Sequence, residues 1–562
     1  MAAIAVDPIT FEVIRNALVG ATDEMVLALR RSAYSTNIKT RSDFSCAFFD
    51  ADLRSVAQGF AQPVHLGSMA HQIPRAVETY GAGNVGPGDM LVTNDPFPSG
   101  VHLNDISLVA PVFHDGELLG YVANLAHHVD VGGGAPASIG AFREVFQEGV
   151  IVPPVKLVEA GQIVPDVFKL LLAQIRSKHE TGGDLRAQIA ANMTGIRRVQ
   201  ALAERHGRET LVATMTELLD YTERRTRAAL AALPHGSYEA EGFVDTDGYS
   251  DEPVRLQVKV ELSADGARFD TAGSDRERRA PVCSTFAQTF SACAYALKCL
   301  IDPDLPVNDG FYRLVTVDAP PGTVTNCTWP SPVVGGWETQ TRLVDVIFRA
   351  LLPALPDLLP AGTKAMMCHA GFGGVDPESG EYYCFLETFA GGYGGRAGSD
   401  GPDAVQTHGQ NTENAPIEET ERGYPVRVTR LSLVEDSEGA GRHRGGLGLR
   451  KDFLFDRPTT FTVLADRTTA GPWGALGGEA GRPAEYVLVR NGEERRLGAK
   501  VTIDVEPGDV ISYRTCGGGG YGPPSERDPG LVLRDVREGK VSIERAREVY
   551  GVVVEGGRAW RP

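Results

Sequence analysis

Apolar residues take up helical spacing soon after the chain begins: Phe11, Ile14, Leu18, Met25 and Leu29 share one face. Asp7 followed by Pro8 supplies an N-cap and a first helical residue whose missing N–H is not needed, so a helix is predicted from there to about Tyr34. Between 44 and 66 the pattern turns strand-like around an Asp-rich turn, and 68–80 reads as helix again. From 88 to 130 short apolar runs between clear turns predict strands. Two long helical stretches follow, near 161–178 and 184–232, the second broken at His206-Gly207. After Pro234 the pattern changes. Residues 237–275 predict strands, helices are predicted near 284–301 and 338–354, and strands at 425–434, 451–465, 485–490 and 509–514 predict a β-rich end. The fold class expected is mixed α/β (α+β). A chain of 562 residues exceeds the roughly 250–300 at which one core stops growing. Three units are expected: 1–234 with long helices, 235–400 as α+β, and a Gly-rich β region at 401–562.

The pattern around residue 115 brings candidate chemistry together. Apolar runs at 106–113 and 118–125 flank His114-Asp115-Gly116-Glu117, and Asp-Gly between two such runs is a strong hairpin signal. A two-residue turn at Asp115-Gly116 sets Asp105 opposite Ala126, so His102 and Asp105 meet His127 and His128 at the open end of the hairpin. Imidazoles and a carboxylate converging from two strands can hold a divalent metal with positions left open. In a strict ladder Asp105 shares a face with His128 rather than His127, and a bulge would reverse that choice. The hairpin alone leaves both histidines as candidates. Asp43, just before a predicted strand and flanked by Arg41, is a candidate further ligand, although on this segment alone a turn or salt-bridge role is the commoner account of such an Asp.

Composition narrows the rest. Glycine stands at 65 of 562 residues, close to 12%, against roughly 7% in average proteins. No collagen period, P-loop or dinucleotide fingerprint accompanies it, so the clusters 132–134, 391–396 and 517–522 are read as tight corners or loops packed against the catalytic region. A net charge of −18 argues against a nucleic-acid or anionic-membrane binder. Eight scattered cysteines form no CxxC pair and read as reduced thiols. Cys46, among Phe residues in a predicted strand, reads as core rather than nucleophile. No signal peptide and no stretch of ~18 apolar residues is present, so a soluble cytoplasmic protein is expected.

Nine segments together resemble the hydantoinase B / oxoprolinase family: DPITFEVIRNAL, NIKTRSDFSCAFFD, PVHLGSM, NDPFPSGVHLNDI, ANLAHHVDVGG, FQEGVIVPPVKL, GDLRAQIAAN, VNDG and the late GGGGYG. The match runs in order from about residue 7 to 530. It covers B-type components of ATP-dependent N-methylhydantoinases, 5-oxoprolinases, caprolactamase and the acetone and acetophenone carboxylases. The resemblance implies a two-component enzyme and hence a hetero-oligomer. An A-type partner takes up ATP and phosphorylates the substrate's oxygen, and the B-type component carries a divalent metal, with zinc, manganese and iron all suited to N/O ligands. The family's metal pattern falls on Asp43, His102, Asp105 and His127, which leaves His128 outside the first ring of ligands.

Departures are confined to three places. Asn104 stands where the family often has proline, Cys516 precedes the late glycines, and the segment from Gly134 to Glu144 is unusual. The resemblance implies an amidohydrolase that opens a cyclic amide such as a hydantoin, lactam or 5-oxoproline. A metal at those four residues would activate water, with Glu144, Asp130 or His128 as base or orienter. A ketone carboxylase component using the same site is the alternative, and a non-catalytic scaffold for the partner is the alternative of another class.

Overall fold

The structure, a computed structural model, describes residues 6–59, 62–98 and 100–562; Ser99, inside the ligand-rich run 94–105, falls outside these. The chain opens with α1 (Pro8–Ser32), whose first amides are met by Asp7: its carboxylate accepts from Ile9 and Thr10 N–H at 3.1 Å. A single turn, α2 (Thr36–Lys39), leads to β1 (Phe44–Asp50), β2 (Ser55–Gln58), α3 (Pro63–Tyr80), β3 (Met90–Thr93), β4 (Asp105–His114), β5 (Glu117–His127), β6 (Val155–Glu159) and β7 (Gln162–Ile163). These strands form one antiparallel sheet in the order β2-β1-β5-β4-β3-β6-β7. Helices α4 (Pro165–Ala173), α5 (Lys178–His206) and α6 (Arg208–Ala231) follow. The helix expected over 161–178 is thus much shorter, because Gln162–Ile163 instead pairs with β6 as an edge strand. Gly207, at φ 79°, breaks the long helix where the sequence placed the break.

Both faces of this sheet are covered. Cys46, Phe48, Val112 and Val122 pack with Ile14, Leu18 and Met25 of α1 and with Ala191 and Leu218 behind them. Ala47, Phe49, Val109 and Tyr121 alternate to the opposite face and meet Val64, Met69 and Ile73 of α3. Every residue of β1 is therefore buried, as a strand covered on two sides requires. Cys46 lies inside the first of these layers, where burial pushes its thiol pKa far up.

The hairpin of β4 and β5 corrects the expected register. Asp115 (φ 52°) and Gly116 (φ 82°) make the two-residue turn, and His114 pairs with Glu117 and Phe113 with Leu118, as predicted. Val112 then pairs with Gly120, so Leu119 is an extra residue and the ladder advances by one. Asp105 consequently lies opposite His127, not Ala126. The bulge sits where β1 presses closest: a Cβ on Gly120 would come within 2.1 Å of the Phe49 carbonyl oxygen.

The middle of the chain builds a four-stranded sheet, β8 (Gly236–Val244), β9 (Val254–Ser263), β10 (Gly266–Asp270) and, after α7 (Phe286–Lys298) and α8 (Asp309–Tyr312), β11 (Val315–Asp318). Helix α9 (Gly336–Leu351) packs with α7 against it. Strands β12 (His369–Val375) and β13 (Tyr382–Thr388), then α10 (Ile417–Gly423), β14 (Val426–Leu433), β15 (Leu449–Phe455), β16 (Thr459–Leu464), β17 (Glu485–Arg490), β18 (Glu493–Arg496), β19 (Lys500–Val505) and β20 (Val510–Arg514) form two further sheets. An aromatic core joins them: Phe372 lies 4.7 Å from Phe385 and 5.5 Å from Phe455, ring centre to ring centre. The last helices, α11 (Pro529–Arg537) and α12 (Ile543–Glu548), close over Ala440.

The late glycines are not tight corners. Residues 516–522 run through the middle of a bundle and bond to neighbours on several sides. Gly395 N–H donates to Gly519 O (2.8 Å), Gly439 N–H to Gly518 O (2.7 Å), Gly518 N–H to Gly446 O (2.8 Å), Gly519 N–H to Gly362 O (2.8 Å) and Gly520 N–H to Glu479 O (2.9 Å). A Cβ on Gly518 would sit 2.0 Å from the Tyr393 carbonyl oxygen. Glycine is required here because main chain packs directly on main chain.

Candidate metal centre

Three neighbouring strands, β1, β5 and β4, end together. Asp43 immediately precedes β1, His127 closes β5 and Asp105 opens β4, while His127 N–H donates to Asp43 O at 3.0 Å. The turn before β4 is closed by Asp105 N–H donating to His102 O (3.0 Å), which brings the His102 ring over Asp105. Asn104 fastens this turn to β5: its Nδ2 donates to the carbonyls of His128 (2.9 Å) and Ala137 (3.0 Å), and its own carbonyl accepts from His128 N–H (2.8 Å). A proline could make neither amide contact, so the residue that departs from the family's common pattern serves as a clamp.

His102, Asp105 and His127 form a group whose ligand atoms all lie within 4.8 Å of one another. His102 Nε2 is 3.4 Å from Asp105 Oδ2, and the two imidazole centres are 4.9 Å apart. His65, from the first turn of α3, stands on the carboxylate side, with Nε2 at 3.8 Å from Asp105 Oδ1 and 3.9 Å from Asp43 Oδ1. His369, the first residue of β12, faces the group from the C-terminal part of the chain and lies close enough to His127 and His102 for their charges to interact. Its backbone approach is unusual: Cys368 has φ 63°, and Glu338 accepts from the amides of Met367 and Cys368 at 3.0 Å. Ser42, before Asp43, has φ 57°. Left-handed non-glycine residues on both approaches are the kind of strain that functional sites retain.

The donor set fits a divalent ion. His102 Nε2, His127 Nε2 and both oxygens of Asp105 are buried with no hydrogen-bond partner, and so are Nδ1 of His65 and of His369. Buried polar atoms normally find partners, and leaving several unpaired in one place is costly unless something else binds them. Burial depresses every imidazole here: His65 to about 4, His127 to about 3, and His102 and His369 well below the usual value. The rings are therefore neutral at pH 7, the form that ligates metals. Burial raises Asp43 against the opposing pull of His65 and Arg41, and burial with the neighbouring Asp43 charge raises Asp105 well above the ordinary carboxylate range. Nitrogen and oxygen donors together suit zinc, manganese or iron.

Arg41 lies behind the site and is fully buried, donating to Asn37 Oδ1 (3.1 Å), Leu386 O (2.7 Å) and Thr388 Oγ1 (2.7 Å). Asn37 in turn places its amide 3.4 Å from His127 Nδ1. Trp337, at the start of α9, packs its ring 5.6 Å from His102 and 5.7 Å from His65.

The three residues expected as base or orienter lie elsewhere. His128 turns to the other face of the sheet, with Nε2 2.9 Å from Gln188 Oε1 of α5; Gln188 Nε2 also donates to Ile106 O (2.9 Å) and Asn124 Oδ1 (2.8 Å). Asp130 is buried and ion-paired with Arg176 at 2.9 Å. Glu144 is half-buried, caps a short turn through the Gln147 amide and pairs with Arg279. None of the three joins the His/Asp group. The sequence pattern does not single out His65, His369 or Trp337. His65 lies inside the family-like segment PVHLGSM, which carries a signal, whereas His369 and Trp337 arrive from distant elements with no local pattern to mark them.

Residues 7–524 match the family model Hydantoinase B/oxoprolinase. The chain belongs to this family. It is 32% identical to the B-type component of a putative D-/L-hydantoinase from Pseudomonas sp. (strain NS671), over 98% of this chain and 95% of that one. The crystal structure of the ATP-dependent caprolactamase from Pseudomonas jessenii superposes with a TM-score of 0.92 at 31% identity, covering 99% of this chain and 98% of that one. A nucleotide-free acetone carboxylase shares the fold, with a TM-score of 0.92 at 20% identity over 99% of this chain and 81% of that one. The family fold thus hosts more than one chemistry, and fold alone does not choose between them. Among the described residues no helix is long and apolar enough to cross a membrane.

Proposed function

We propose that this chain is the metal-bearing component of an ATP-dependent enzyme that opens a cyclic amide, working with an A-type partner that uses the ATP. The observation that carries this reading is the buried His102/Asp105/His127 group with its unpaired donor atoms, set in a chain about one-third identical to components of cyclic-amide hydrolases. Asp43, His102, Asp105 and His127 would hold the ion. A divalent ion held there would act as a Lewis acid toward the substrate's oxygen and the attacking water.

An amide carbon is a poor electrophile. Transfer of a phosphoryl group from ATP to its oxygen, at the partner, makes that carbon reactive. Water then adds, the ring C–N bond breaks, and a second water releases phosphate. This chain's residues would hold the reacting molecule at the open end of the β4–β5 hairpin, where β1 begins beside it. His65, with Nε2 3.8 Å from Asp105 Oδ1, and His369, facing the group from β12, would orient the reacting molecule and the attacking water. Glu144, Asp130 and His128 would act from outside the group, by holding the loops that follow β5.

The test is to purify the chain with its partner, measure bound metal, and assay hydantoin, caprolactam and 5-oxoproline with ATP. We expect about one ion per chain and ADP formation coupled to ring opening. ATP turnover that requires bicarbonate and a ketone, without ring opening, would replace this reading with a carboxylase. A complex in which the purified chain and its His102→Ala variant both lack metal would leave only a scaffold role.

A further inference from the structure

Trp337 is the residue at the centre whose chemistry nothing so far uses. It is 1% exposed, and its indole Nε1–H has no hydrogen-bond acceptor. The ring stands edge-on to His102 at 5.6 Å with an interplanar angle of 89°, and at 5.7 Å from His65. It belongs to a buried apolar cluster that also contains Val64, Met69, Val101 and Met367. Phenylalanine would fill an apolar wall without stranding a donor, whereas buried tryptophans ordinarily find a partner for the indole N–H.

The backbone fixes this ring firmly. A Cβ on Gly335 would lie 1.6 Å from Pro281 O, and one on Gly336 would lie 2.6 Å from Cys283 O, so the chain enters α9 pressed against residues 281–283. The next residue, Glu338, accepts from the amides of Met367 and Cys368 and so anchors the strand that carries His369. One helix turn therefore places an indole against two of the histidines and braces a third. A donor held this rigidly beside a ligand site costs no reorganisation when an acceptor arrives.

We infer that Trp337 is a substrate-binding residue: its Nε1–H donates to the oxygen of a cyclic amide held beside the His/Asp group, and its ring forms the wall that limits the size of that substrate. This assignment rests on the cyclic-amide reading above. A carbonyl oxygen, or the phosphorylated oxygen derived from it, is the acceptor such a molecule offers, and its small ring is the shape an indole wall admits.

The test uses the complex with its partner and the fastest of hydantoin, caprolactam and 5-oxoproline. Trp337→Phe keeps an aromatic wall and removes only the donor. We expect its metal content to equal wild type and its kcat/KM to fall about 10- to 100-fold. A structural role alone would not move kcat/KM while leaving metal and thermal midpoint unchanged. Wild-type kcat/KM in this variant overturns the assignment while leaving the function intact. A complex that binds no metal and opens no cyclic amide overturns both.

A second measurement needs no substitution in the site. With 5-fluorotryptophan at the four tryptophan positions, cobalt(II) should broaden one fluorine resonance strongly. That same resonance should shift when the substrate is added to the zinc-loaded complex under non-turnover conditions. A cobalt-sensitive resonance that ignores a substrate the complex demonstrably cleaves overturns the assignment.

Discussion

The His/Asp group and the glycine bundle are both buried, both polar in composition and both assembled from segments far apart in the chain, yet they handle polar atoms in opposite ways. In the bundle the amides of Gly395, Gly439, Gly518, Gly519 and Gly520 each meet a carbonyl oxygen at 2.7–2.9 Å. At the site, His102 Nε2, His127 Nε2 and both Asp105 oxygens have no hydrogen-bond partner. The bundle gains its stability from main-chain hydrogen bonds satisfied within the protein. The site forgoes that stability and holds donor atoms ready for something that the protein itself does not provide. Where buried polar atoms are paired, the architecture is holding itself together; where they are left unpaired in a group, it is prepared to bind.

The largest effect should come from the site. Asp105→Asn keeps the volume and removes the ligand charge. We expect metal content to fall below a tenth of wild type and ring-opening activity to fall at least ~10³-fold, about 4 kcal/mol in transition-state terms. The metal-free thermal midpoint should stay within a few degrees, because the atoms removed were unpaired. A large loss of stability in the metal-free variant would mean that Asp105 is a structural residue, and the contrast with the bundle would collapse.

The bundle should behave in reverse. Gly518→Ala places a methyl 2.0 Å from Tyr393 O and 2.4 Å from its carbonyl carbon, where only main chain can yield. We expect a loss of roughly 3 kcal/mol or more, or failure to accumulate as folded protein. Gly498→Ala, with nothing within 4 Å of the added carbon, should change stability by less than about 0.5 kcal/mol. Denaturant midpoints compare the two. Equal effects would show that glycine at 518 serves flexibility rather than close approach.

Much of this contrast is legible in the sequence, and the part that is not has a common cause. Asp115-Gly116 marks the hairpin, and the pattern of apolar runs places His102, Asp105 and the two histidines at its open end. The register differs by one residue because Leu119 bulges, next to a glycine that must admit the Phe49 carbonyl of β1. That contact spans some seventy residues, and no local pattern encodes it. His369 and Trp337 are hidden for the same reason: each is ordinary within its own segment and acquires meaning only through the packing of α9 and β12. The glycine clusters are visible as an excess, but a glycine serving a turn and a glycine serving main-chain contact look alike in sequence.

Glu148 lies between the two behaviours. One of its oxygens accepts from Val333 and Val334 N–H at 2.8 and 2.9 Å; the other is buried with no partner. Burial raises its pKa from 4.5 to about 8. The folded state therefore keeps a proton that the unfolded state loses, so stability falls as pH rises from about 5 to about 8, by roughly 1.4 kcal/mol per pH unit from this group. Glu148→Gln retains an oxygen for the two amides and cannot ionise. Its stability relative to wild type should grow across that window, read from denaturant midpoints at pH 5, 6.5 and 8. A constant difference across the three would show that Glu148 is already ionised in the folded protein.

The smallest effect is expected at Glu144, and it sharpens the comparison because this residue has acid–base chemistry but no unpaired buried atom. Its carboxylate pairs with Arg279 and accepts from the Gln147 amide, in a loop where the ion pair is largely exposed. Exposed pairs contribute little, commonly under about 1 kcal/mol. Glu144→Gln should keep the cap, leave metal content unchanged and alter kcat/KM by less than about threefold. If this variant instead lost ~10²-fold or more with metal retained, a paired and half-exposed carboxylate would be carrying out the proton transfer. The distinction between paired atoms that hold the fold and unpaired atoms that serve the reaction would then fail at a residue that the sequence offered and the geometry sets apart.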